Sequence, residues 1–154
     1  MIHAHRMTAL MEEPFVVFLI GMRVNAWWKF HQWMRIGMAM PQMLKELAAH
    51  PELGYLGGES WGGRTTIMVQ YWRSFEALED YARNKTHAHL PAWKAFNQRI
   101  GNQPDVGIWH ETYLIQPDQY ECVYHHMPPF GLGRVGKLVE ASNRLAGARG
   151  RLQS

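Results

Sequence analysis

The order in which strand and helix patterns follow one another constrains this fold more than any single residue does. Phe15-Val-Val-Phe-Leu-Ile-Gly-Met-Arg-Val24 is β-branched and aromatic over about ten residues, the pattern of a buried strand. Asn25 stands where an N-cap is wanted, so a helix is predicted from Ala26 to about Ile36. Pro41 suits the first residue of a second helical piece through His50, where its missing N–H is not needed, and Pro51 ends that piece. Gly54 to Trp61 reads as a strand interrupted by Gly57 and Gly58. Gly62-Gly63 predicts a tight hairpin with Arg64 to Trp72 as its second arm. A helix opens at Ser74, weakens around Asn84 to Thr86, resumes at Pro91 and closes at Gly101. Val106 to Ile115 is the last strand.

This βα-ββα-β order predicts an α+β, ferredoxin-like split βαβ sandwich, a four-stranded antiparallel sheet with helices on one face. The other face is lined by apolar residues along Phe15 to Val24 and Ile67 to Tyr71 and needs covering. A second copy packing sheet to sheet is the simplest cover, which makes the expected assembly a homodimer. Residues 1–13 read as an N-terminal leader, 14–116 as the ferredoxin-like domain and 117–154 as a C-terminal arm. Within the arm, Met127-Pro-Pro-Phe-Gly-Leu-Gly133 predicts an ordered apolar loop, because Pro-Pro is stiff and Phe130 and Leu132 favour burial. Arg134, Lys137, Arg144, Arg149 and Arg151 beyond it predict a solvated end.

Composition narrows the function classes. At 154 residues the chain is sized for one domain. The net charge of +3 is small and its excess sits in the arm, so the body carries no basic stripe for nucleic acid. The single Cys122 excludes an intrachain disulfide and points to the cytoplasm. Residues 1–14 lack the apolar stretch of a signal peptide, and the longest apolar run, Phe15 to Met22, is too short to span a bilayer, so no membrane partner is expected. Seven Trp and ten Met fit either a plastic apolar cavity or an aromatic interface.

The chemistry-bearing residues concentrate between Ile67 and Ile115. Strand alternation groups Ile108, His110, Thr112 and Leu114 on one face of the last strand and Trp109, Glu111 and Tyr113 on the other. His110 is thus a mid-strand histidine, either a core group or a general base at a pocket wall. A buried Glu111 needs a cation, and Arg64 or Arg73 could serve. His89 falls where a helix is interrupted, with Trp93 one turn later on the same face. His87 and His89 are two apart and splay across a helix, which argues against a two-histidine metal site. Arg23 and Asn25 share one face of the first strand above Gly21, whose missing side chain leaves room for another group. Tyr55, Tyr71 and Tyr81 are the available phenols. No phosphate loop, zinc signature or serine elbow is present, which argues against a dinucleotide enzyme.

Several stretches resemble the fumagillin-biosynthesis-type monooxygenases, a branch of the antibiotic-biosynthesis monooxygenase superfamily. They are Phe18–Asn25, Arg64–Ser74, His89-Leu-Pro-Ala-Trp93, Gly107-Ile-Trp-His-Glu-Thr-Tyr113 and Met127–Gly133. The resemblance implies a dimeric α+β barrel with a ligand cavity between helices and sheet. It implies an oxidoreductase, a monooxygenase acting on a small, largely apolar molecule, with no cofactor required. His110 or His89 would be the base, and Arg23 and Asn25 would hold the developing oxyanion. Trp93, Tyr81, Trp28 and Tyr71 would line the substrate. Haem-dependent members of related barrels supply the alternative, a haem protein with His89 or His110 as axial ligand. A non-catalytic ligand-binding module, with the aromatics serving core and interface, is the third.

Overall fold

The computed structural model describes residues 1–30, 34, 39–83 and 104–152. Ten elements are used below: β1 (Met7–Leu10), β2 (Phe15–Val24), α1 (Ala39–Ala49), β3 (Tyr55–Trp61), β4 (Ile67–Trp72), α2 (Phe75–Arg83), β5 (Val106–Ile115), α3 (Leu132–Val135), β6 (Lys137–Glu140) and α4 (Ala148–Leu152). The main sheet is antiparallel with order β3-β4-β2-β5, the ferredoxin-like arrangement that the sequence order predicts. Pro41 is the third residue of α1 rather than its first, still inside the turn whose N–H groups have no intrahelical partner.

The register divides the sheet residues between two faces. Ile20 pairs with both Met68 and His110, and Phe18 with both Gln70 and Thr112. Directly paired residues share a face, so Val16, Phe18, Ile20, Met68, Gln70, Trp72 and His110 stand together. On this face Val16 and Trp72 pack with Met43 and Leu47 of α1 and Leu78 and Tyr81 of α2. It is the helix face of the sheet.

The connection between β3 and β4 is longer than a two-residue hairpin. The strands close on the pair Trp61 and Ile67, and residues 62–66 turn instead toward β2. Thr65 bridges to Arg23, the Thr66 N–H donates to the Met22 carbonyl, and the Val24 N–H donates to the Arg64 carbonyl. Gly21 permits this approach: a Cβ there would run into the Thr66 carbonyl and come within 2.7 Å of Trp109 Nε1. The register shift between Tyr55 and Gly57 carries Gly57 at φ 151°, a conformation that other residues rarely adopt.

The opposite sheet face is covered in part by the chain itself. The segments at both ends meet in a two-stranded sheet, β1 antiparallel to β6, and Ala9, Phe15 and Leu132 form a second core with Val17, Tyr71, Tyr120 and Tyr124 around it. Tyr120 pins this layer: its hydroxyl accepts from the Met11 N–H at 2.6 Å and donates to the Ala9 carbonyl at 3.2 Å. Leu132 is buried and Phe130 meets Trp61 edge to face, as expected of the Pro-Pro loop. Of the basic residues predicted to be solvated, Arg134, Lys137, Arg144 and Arg149 are exposed, and Arg151 is the exception. Arg151 is only 5% exposed, paired with Glu121, and donates to the carbonyls of Leu145 and Ala146.

Candidate functional site

The helix face gathers polar groups into an otherwise apolar layer. Tyr81 of α2 is buried, its hydroxyl donates to Glu46 Oε2 of α1 at 3.0 Å, and its ring lies 5.6 Å from that of Trp72. Trp72 meets Tyr55 edge to face at 5.5 Å and donates its indole N–H to Gln70 Oε1 at 2.9 Å. Gln70 Nε2 in turn lies 3.2 Å from Met68 Sδ. Met68, Gln70 and Trp72 occupy alternate positions of β4, which is why one strand delivers all three to one face. Burial first, and then the Glu46 carboxylate, push the Tyr81 phenol far above its ordinary range, so it remains a hydrogen-bond donor. The result is a buried aromatic layer with a hydroxyl, an amide and a carboxylate set into it.

The predicted site residues do not all meet there. His110 lies on the helix face, exposed, with its ring 5.7 Å from that of Phe18. Tyr81 lies on this face as well. Tyr71 alternates to the opposite face and packs in the second core. Arg23 also alternates away from His110; it is exposed and donates to Thr65 Oγ1 at 2.9 Å. Asn25 caps no helix: its side-chain amide donates to the Pro104 carbonyl at 2.7 Å and its backbone N–H to the Asp105 carbonyl, fastening the end of β2 to the start of β5. Trp28 is 69% exposed. His89 and Trp93 lie outside the described residues. Glu111 is exposed and accepts from Tyr113 at 2.5 Å rather than pairing with Arg64 or Arg73, whose side chains donate to the carbonyls of Val24 and Glu52.

A family model for the monooxygenase af470-like proteins matches residues 15–132. The chain belongs to that family. It is 31% identical over 116 residues to Monooxygenase af470 of Aspergillus fumigatus, covering 71% of this chain and 39% of that protein. Among solved structures, an aldoxime dehydratase in complex with butyraldoxime superposes with TM-score 0.70 at 14% identity, over 86% of this chain and 40% of that one. A second aldoxime dehydratase gives 0.65 at 16% identity, over 90% and 42%. The chain thus spans about two fifths of the length of these relatives, and the two dehydratases attest the fold.

Within this af470-like chain, Gln70, Trp72, Met68 and Glu46 were not singled out from the sequence. For Gln70 a signal existed: a carboxamide between Met68 and Trp72 on the buried register of an apolar strand. For Glu46 there was none, because its partner Tyr81 belongs to another element. Of the two histidines expected as axial ligands of haem iron, only His110 lies among the described residues. An axial histidine is ordinarily held by a hydrogen bond from its other ring nitrogen. His110 has its ring against Phe18 and no such bond among the described residues. The described residues also contain no group of three or more His, Cys, Asp or Glu arranged to hold a metal ion, and no helix among them is long and apolar enough to cross a membrane.

Proposed function

We propose that this chain is an oxygenase acting on a small, largely apolar and enolisable molecule held against the helix face of the sheet. Its membership of a monooxygenase family over residues 15–132 carries the proposal. The aromatic wall of Trp72, Tyr81 and Tyr55, with polar groups confined to Gln70, Tyr81 and Glu46, supports the substrate class.

In this reading a base removes a proton from a carbon made acidic by a neighbouring carbonyl. The enolate then reduces O₂ and forms a carbon–oxygen bond, giving a hydroperoxide. Loss of water from that hydroperoxide at a methylene carbon leaves a new carbonyl. One oxygen atom enters the product, the other leaves as water, and the substrate supplies all the electrons. His110, on the helix face, is the proposed base, with His89 the other candidate. Arg23 is given no role in this step because it lies on the sheet face opposite His110, and Asn25 none because its amide fastens the strand end to the Pro104 carbonyl.

The proposed assembly is a homodimer. Leu19, Ile67, Val69 and Trp109 lie on the opposite sheet face, beyond the second core, and a second copy would cover them. Sedimentation at micromolar concentration should give a mass near twice 17.9 kDa; a monomer would rule the dimer out.

The test is incubation of the protein with enolisable ketones such as 2-tetralone under ¹⁸O₂, followed by mass spectrometry. One labelled oxygen in the product, dependent on protein and lost in His110→Gln, is the expected result. Label incorporation equal to that of the protein-free control would overturn the oxygenase assignment.

A further inference from the structure

On the helix face, Gln70 is a buried donor with no oxygen or nitrogen acceptor among the described residues. Gln70 is 3% exposed and sits at the middle of β4, paired with Phe18 on one side and Gly58 on the other. The orientation of its amide is fixed by chemistry rather than by choice. The indole nitrogen of Trp72 can only donate, so the atom 2.9 Å from it is the carboxamide oxygen. Nε2 must then point the other way, toward Met68 Sδ at 3.2 Å. That nitrogen carries two N–H groups, and a thioether is a weak acceptor. No oxygen or nitrogen of the described residues accepts from it. One N–H of this amide meets only sulfur and the other has no oxygen or nitrogen acceptor among the described residues, an uncommon state for a buried amide.

Nearby groups fit the same purpose. Tyr55 Oη lies over Gly58, within 2.8 Å of where a Cβ would stand, and Gly58 is the cross-strand partner of Gln70. A side chain at that position would occupy the space beside the amide. Met68 is an unbranched side chain whose end can swing away, so its sulfur can serve as a placeholder.

We infer that Gln70 Nε2 is the group that recognises an acceptor oxygen of the ligand, the carbonyl of an enolisable ketone or the oxygen of its enolate, which displaces Met68 Sδ. This rests on the proposed oxygenase reading and narrows its substrate class: a hydrocarbon of the same shape is rejected because it leaves the amide unmatched. The same donor strengthens its bond as negative charge grows on the oxygen, which favours proton removal from the adjacent carbon.

The test compares 2-tetralone with tetralin, the same bicycle without the carbonyl, by tryptophan-fluorescence titration of the full chain. Wild type should bind the ketone about tenfold more tightly, the factor that about 1.4 kcal/mol produces. Gln70→Met should abolish that preference, read as the ratio of ketone to tetralin affinity. Met68→Leu, which removes the competing sulfur, should raise the preference. If Gln70→Met does not fold, Gln70→Glu at alkaline pH keeps an oxygen for Trp72 but offers no donor, and it must lose the preference too. An unchanged ketone-to-tetralin ratio in the Gln70 variants would overturn the assignment to Gln70 while leaving the apolar site standing. Failure of wild type to bind either compound would overturn the site and this inference together.

Discussion

Tyr81 donates to Glu46 at 3.0 Å and thereby ties α2 to α1 above the sheet. The bond is charge-assisted, and Tyr81 also packs on Trp72, so it couples the two helices to the aromatic wall. Tyr81→Phe keeps the ring and removes only the bond. Urea unfolding should show a loss of about 1.5 kcal/mol, the low end for a bond to a charged group because Glu46 is only partly buried. No change in stability would mean that water replaces the contact at no cost.

Arg151 is expected to matter for folding rather than solubility. Its guanidinium is buried and donates to Glu121 and two carbonyls, but Glu121 itself is exposed, so the loss is that of hydrogen bonds to a charged group, about 1.5–3 kcal/mol. Arg151→Ala should lower the melting temperature sharply. Deleting residues 136–154 should be worse, because it also removes β6, the partner of β1. A truncated chain that melts with wild type would show the end segment to be dispensable after all.

Gly21→Ala should destabilise the junction of β2 with the 62–66 turn. The added methyl meets the Thr66 carbonyl, which belongs to backbone and cannot swing aside, and the Trp109 indole on its other flank. Overpacking of this kind costs typically 1–3 kcal/mol. Thermal melting reads it directly, and a wild-type melting temperature would contradict the close approach.

Much of this architecture is legible from the residues. The alternation of patterns gives the βα-ββα-β order, and that order gives the sheet. Gly21 signals a close approach, and the approaching groups are Thr66 and Trp109. The cover on the second sheet face is less legible. Basic residues in a tail read as solvated when no partner is in view, and the partner of Arg151 is Glu121, thirty positions away in sequence. The site is partly legible for the same reason. Alternation places His110 on one face of β5, but it does not say that the helices sit over that face. Nor can spacing within single elements show that Tyr81 meets Glu46, or that Gln70 serves Trp72.

The pH dependence of stability should be set on the alkaline side by phenols. Tyr55, Tyr71, Tyr81, Tyr120 and Tyr124 all have values raised above 10.0, each with burial as the leading cause. A phenol with a raised folded value binds its proton more tightly than the unfolded chain does. Its contribution is therefore fully present below about pH 10 and is lost as pH rises toward the folded values. Stability measured in urea should begin to fall as pH passes about 10, and phenolate absorbance should appear together with unfolding. Early titration of these tyrosines in the folded protein would contradict their burial.

Nuclear magnetic resonance of the indole N–H groups tests most directly whether the helix face is the ligand site. Each of the seven tryptophans carries one indole N–H, assignable by Trp→Phe substitution. Addition of 2-tetralone should shift the signal of Trp72, whose N–H is bonded to Gln70, and leave those of Trp61 and Trp109 in place, since they alternate to the other face. Shifts confined to Trp61 and Trp109, with Trp72 unmoved, would put the ligand on the wrong side of the sheet and contradict the account.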